Sequence, residues 1–121
     1  MSSQLDSIVS VIKQCSFRWS SEADIHKGLL QWLERQQQHV PSFRSEVVLT
    51  KRDRLDVLLD DGTAIEIKVA GTKTEVLRQL HRYAEHEVVT GLILLTTRMA
   101  HLSMPPTVLR KRLVVVPILG L

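Results

Sequence analysis

Two stretches of this chain, Val88 to Thr97 and Leu113 to Leu119, are continuous apolar runs bounded by residues that break regular structure. A strand with one wet face would alternate with period two, and these runs do not. They read as strands buried on both faces, which need helices packed above and below their sheet. The segments around them supply those helices. Leu5, Ile8, Val9 and Ile12 recur at helical spacing over residues 4 to 14. A second helix opens at Ser20-Ser21, with Ser21 as N-cap and Asp24 three residues on, a variant of the capping box. Its apolar stripe is Ile25, Leu29, Trp32 and Leu33, and it is expected to run to about Gln38, ahead of Pro41.

Three strand-like segments come next. Phe43 to Thr50 is the first, while Arg54 to Leu59 and Thr63 to Val69 flank the turn signal Asp60-Asp61-Gly62. After Gly71, Thr72 or Thr74 can cap a helix through Glu87 with Val76, Leu77, Leu80 and Ala84 on its apolar face. Arg98 to Arg112, containing Pro105-Pro106, reads as mostly connection. Three antiparallel strands followed by a helical crossover to a buried strand make a mixed α/β sheet.

The chain is 121 residues long, one domain's worth, and its 44% hydrophobic and 24% charged composition excludes disorder, collagen-like repeats and a disulfide scaffold. A net charge of +3 permits an anionic partner without demanding one. Cys15 stands alone, which suits a reducing compartment and the role of a small buried hydrophobe. No apolar run approaches the ~20 residues of a membrane span, and MSSQLDS carries no secretory pattern, so a cytoplasmic protein without membrane contact is expected.

The chemistry concentrates between Arg54 and Lys68. On the third strand Ala64, Glu66 and Lys68 share one face, and Ile65, Ile67 and Val69 the other. A two-residue turn at Asp61-Gly62 would set Asp56 opposite Ile67, with the acids on opposite faces. A three-residue turn, with Gly62 left-handed, would set Asp56 opposite Glu66 with Cβ atoms ~5 Å apart. Facing carboxylates repel and call for a cation, and a hard divalent ion, Mg²⁺ or Mn²⁺, suits two oxygen donors. An exposed hairpin with Asp, Glu and Lys on its solvent face would account for the same residues.

Glu22 projects into the core-facing stripe of the second helix, so it either compensates the helix dipole or aims at a site near the sheet. His26, one turn on, reads as a packing or hydrogen-bonding residue. Gln79 and Tyr83, four apart, share a helix face.

Asp56, then Glu66-Ile67-Lys68, preceded by Glu22 on a helix, resembles the PD-(D/E)xK nuclease superfamily, although Leu55 replaces the literal Pro. Gln79 and Tyr83 resemble the QxxxY element of its RecB-like branch. The resemblance spans about residues 20 to 97. It implies a restriction-endonuclease-like αβββαβ core, a mixed central sheet flanked by helices, with an extra N-terminal helix and C-terminal strand, all in one nuclease-like domain over residues 1 to 121. It further implies that Asp56, Glu66 and the Ile67 carbonyl hold Mg²⁺ or Mn²⁺, with Glu22 as a further ligand. Lys68 would activate the attacking water in hydrolysis of a DNA phosphodiester. Gln79 and Tyr83 would contact substrate or hold the site together.

Arg54, Lys73, Arg78 and Arg82 are candidate phosphate contacts, as are Lys51, Arg52 and Arg110-Lys111-Arg112, although solvated surface is the ordinary role of each. With a three-residue turn Arg54 would face Lys68, so either the ladder splays there or Arg54 pairs with Glu46. Three functions follow: a deoxyribonuclease acting on single strands or ends, a homodimeric Holliday-junction or branched-DNA resolvase, and a non-catalytic nucleic-acid-binding module. The compact stand-alone form would suit a phage or mobile-element gene.

Overall fold

The computed structural model describes residues 4–119. Its elements are helices α1 (Gln4–Lys13) and α2 (Glu22–Arg35), strands β1 (Phe43–Val48), β2 (Arg54–Leu59) and β3 (Thr63–Lys68), helix α3 (Lys73–Ala84), strand β4 (Gly91–Thr96), a 3₁₀ turn at Met99–His101, and strands β5 (Thr107–Val108) and β6 (Lys111–Pro117). One sheet runs β1-β2-β3-β4-β6-β5. The β1–β2 and β2–β3 pairs are antiparallel, β3–β4 and β4–β6 are parallel, and β5–β6 is antiparallel. The α/β class and mixed sheet match the expectation from the sequence.

Each expected helix forms for the reason its sequence suggests. Ser21 Oγ accepts the Asp24 N–H at the start of α2. The Asp24 carboxylate reaches past the cap to the Ser20 N–H and hydroxyl. Thr72 and Glu75 form a full capping box on α3. Some boundaries shift. α2 ends at Arg35 and α3 at Ala84, each closed by a tightened turn whose N–H bonds a carbonyl three residues back. β4 is buried along its whole length, as its apolar run demands. β6 is covered on both faces but more thinly than its run suggests. Leu113 is buried on one face and Val116 on the other, while Val114 and Val115 are half-buried, because its outer neighbour β5 is two residues long and leaves much of β6 at the edge.

The sheet divides the core in two. On one face α1 and α2 pack Ile8, Ile12, Ile25, Leu29 and Leu33 against Val57, Ile65, Ile67, Ile93 and Leu95. On the other, α3 packs Val76, Leu80, Tyr83 and Ala84 against Leu55, Leu58, Ala64, Leu92 and Leu94. Glu66 and Lys68 follow Ala64 at period two and so belong to the α3 face.

Candidate active site

The β2–β3 hairpin resolves the register left open by the sequence. Val57 pairs with Ile65 and Leu58 with Ala64, which is the three-residue turn, and Gly62 takes φ +94°. Its N–H donates to the Leu59 carbonyl at 2.9 Å. A Cβ on Gly62 would lie 2.6 Å from the Val88 carbonyl, so glycine is required for space as well as for conformation. Asp56 and Glu66 consequently fall opposite each other.

At that position the ladder gives way to side chains. The Ile67 N–H donates to Asp56 Oδ2 at 2.7 Å, and the Asp56 N–H donates to Glu66 Oε1 at 3.4 Å. Each acid thus takes a backbone bond from the other's strand. The β1 side is interrupted at the same level. Ser45 pairs with Val57 and Val47 with Leu55, while Glu46 between them adopts φ +50°. A non-glycine residue in that region is costly and is tolerated where the surroundings over-determine it. The alternation of β2 slips as well, since Leu55 and Leu58 both reach the α3 core. The ladder therefore splays, and Arg54 is not forced against Lys68; it pairs in register with Val48.

Glu66 is the buried centre of this opening, 4% exposed. Lys68 Nζ lies 3.4 Å from Glu66 Oε2. The Tyr83 hydroxyl lies 3.4 Å from the same oxygen and 3.0 Å from the Arg54 carbonyl, and it accepts from Gln79 Nε2 at 2.6 Å. Gln79 and Tyr83, paired in sequence only by their spacing, thus join α3 to the acidic strand. Burial, and next the charge of Asp56, push the Glu66 carboxyl up to about 8, outweighing the opposing pull of Lys68. Burial likewise raises the Tyr83 hydroxyl above its ordinary range, with the Glu66 and Asp56 charges adding to it. Glu22, the first residue of α2, is exposed instead of lying within the buried stripe. Its pKa is raised by desolvation and then by Asp56, against Lys68 and His26, so it shares the field of this site.

The other candidates divide. Arg54, Lys73 and Arg78 are exposed, with Lys73 Nζ 3.3 Å from Ser103 Oγ. Arg82 has a structural partner: its Nε donates to Asp53 at 3.0 Å. His26 reaches no ligand set, and its Nε2 is buried without a hydrogen-bond partner. Two buried clusters escaped the sequence reading. Asp53, 6% exposed, binds Arg82 and His86 of the α3 end and closes the β1–β2 turn through its carbonyl, which accepts the Leu49 N–H. Burial would raise its carboxyl, but bonds and charges from Arg82 and His86 prevail and hold it low. His101, wholly buried, bridges Thr96 and Gly71. Neither pattern has a local sequence signal beyond one acid or one histidine in a connection.

Among the described residues no group of three or more His, Cys, Asp or Glu side chains is gathered to hold a metal. The donors at hand are two carboxylates and neighbouring backbone carbonyl oxygens. That all-oxygen set suits a hard divalent cation, and a buried acid raised to about 8 is one whose ionised form a cation would favour. The residues present fit such an ion. No helix among the described residues is long and apolar enough to cross a membrane. Comparison with protein-family models, curated proteins and solved structures returns no match to this chain.

Proposed function

We propose that this chain is a metal-dependent deoxyribonuclease built on a restriction-endonuclease-like core. The observation that carries the reading is the break in β2 at Asp56, where Asp56 and buried Glu66 exchange backbone bonds with Lys68 and Tyr83 on the same carboxylate. A hairpin with merely solvated charges has no reason to bury its glutamate or to interrupt its own ladder on both sides.

Asp56, Glu66 and the Ile67 carbonyl would hold Mg²⁺ or Mn²⁺, with Glu22 contributing from α2. Such an ion, when bound, polarises a phosphate oxygen and lowers the pKa of a coordinated water. Lys68, 22% exposed in its side chain, can orient that water and offset charge developing on the phosphate. Tyr83, itself held by Gln79, fixes the Glu66 carboxylate. Exposed Arg54, Lys73 and Arg78 supply cations for the nucleic-acid backbone, a role that salt would weaken.

The test is incubation of the full chain with Mn²⁺ or Mg²⁺ and linear duplex, circular single-stranded or four-way-junction DNA. Cleavage should need the cation, fall roughly 10²–10³-fold in Lys68→Ala, and vanish in Asp56→Ala. Intact cleavage by Asp56→Ala would overturn the site. Metal-dependent binding with no cleavage of any substrate would favour the non-catalytic module, and selective junction cutting the dimeric resolvase.

A further inference from the structure

His101 is wholly buried yet lies outside the acidic site, in the connection after β4. Its Nε2 is 2.7 Å from the Gly71 carbonyl, and its Nδ1 is 2.7 Å from Thr96 Oγ1. A carbonyl can only accept, so Nε2 carries a proton. In the neutral ring Nδ1 then accepts the Thr96 hydroxyl proton. The same Thr96 oxygen accepts the Arg98 N–H at 3.0 Å, so its hydroxyl is directed from both sides. The chemistry of the partners thus selects one tautomer and one orientation.

What this cluster grips is the exit of β3. Thr96 stands beside Lys68 in the parallel register, and the Thr97 N–H donates to the Lys68 carbonyl at 3.1 Å. Three residues beyond Lys68, Gly71 takes φ +95° and hands the chain to the Thr72 cap of α3. The backbone from Lys68 to Gly71 is therefore pinned at both ends by one short segment, residues 96–101. Lys68 is the last residue of its strand, where a ladder alone would let it fray.

We propose that His101 is a positioning residue, a tautomer-fixed brace that acts through Thr96 and Gly71 to hold the Lys68 ammonium beside Glu66. This rests on the nuclease reading above, and it adds a residue that neither touches substrate nor belongs to the acidic site. Placement is where catalysis is sensitive, since a displacement of about 1 Å can cost ~10²-fold in rate.

The experiment compares the full-length wild type with His101→Leu, His101→Gln and Thr96→Val. His101→Gln keeps an N–H donor for Gly71, and Thr96→Val keeps shape while removing the hydroxyl. In metal-dependent cleavage, His101→Leu should lose ~10²-fold in kcat at unchanged KM, Thr96→Val should lose less, and His101→Gln should recover most of the rate. Amide exchange at Thr97 and the ¹⁵N resonance of the Lys68 side chain are read on the same samples. Both should move in His101→Leu and Thr96→Val and return in His101→Gln. Wild-type kcat in Thr96→Val and His101→Leu, or an unmoved Lys68 resonance, would overturn the brace. A wild type that cleaves nothing would overturn the nuclease reading alone, because the Lys68 and Thr97 signals still decide whether His101 holds that strand end. If His101→Leu fails to fold, Thr96→Val and His101→Gln carry the decision.

Discussion

The two faces of the sheet are built from different chemistry. Against α1 and α2 the core is aliphatic, and no charged side chain among the described residues is buried there. Against α3 the same sheet buries Glu66, and its margins bury Asp53 and His101, each bonded to α3 or to the turn that starts it. Apolar burial contributes stability with little directional demand, at ~25 cal/mol per Å². Buried polar groups cost free energy unless each partner is placed, and when placed they fix geometry. One face is thus a foundation, and the other holds a constellation in register.

The largest expected effect tests the foundation. Ile93→Ala, at a wholly buried position of the aliphatic face, should cost roughly 2–5 kcal/mol by denaturant unfolding, with metal-dependent cleavage at 25 °C unchanged. A matching loss of cleavage would show that the faces are not separable.

Glu66 sharpens the contrast by pH. Its pKa in the fold is about 8, against an ordinary 4.5, so between those values the folded state binds more protons than the unfolded chain. Stability of the metal-free protein from this group is fully present below pH 4.5 and is lost as pH rises through about 8, at up to ~1.4 kcal/mol per pH unit. Glu66→Gln should flatten that slope in urea titrations run in EDTA. A slope that survives the substitution would place the titrating group elsewhere.

Asp53 has the opposite sign. Its carboxyl is held below the ordinary 3.8, so its contribution is present above that value and is lost as pH falls through the lower folded pKa. Asp53→Asn should cost roughly 1–3 kcal/mol at pH 6 and reduce acid sensitivity below pH 4. Equal stability at pH 6 would show that Arg82 and His86 hold the turn without it.

The smallest effect is local. Thr72→Ala breaks the capping box of α3 and should lower the unfolding free energy by ~1 kcal/mol.

Much of this was legible in the chain because it depends on near neighbours. Caps at Ser21 and Thr72, the glycine turn at Gly62, period two through Ala64, Glu66 and Lys68, and the unbroken apolar run of β4 are set by backbone sterics and by alternation, which act over a few residues. The pairing of Asp56 with Glu66 was readable only as one of two registers, since both turn lengths satisfy the local rules. What tertiary structure alone decided lies far apart in sequence. The gap opposite Glu46, the Arg82 and His86 grip on Asp53, and the His101 bridge to Gly71 join residues that no period relates. Local sequence determines which elements form and which way their side chains face. Which buried polar groups meet is decided by packing, because each must find a partner wherever the fold delivers one.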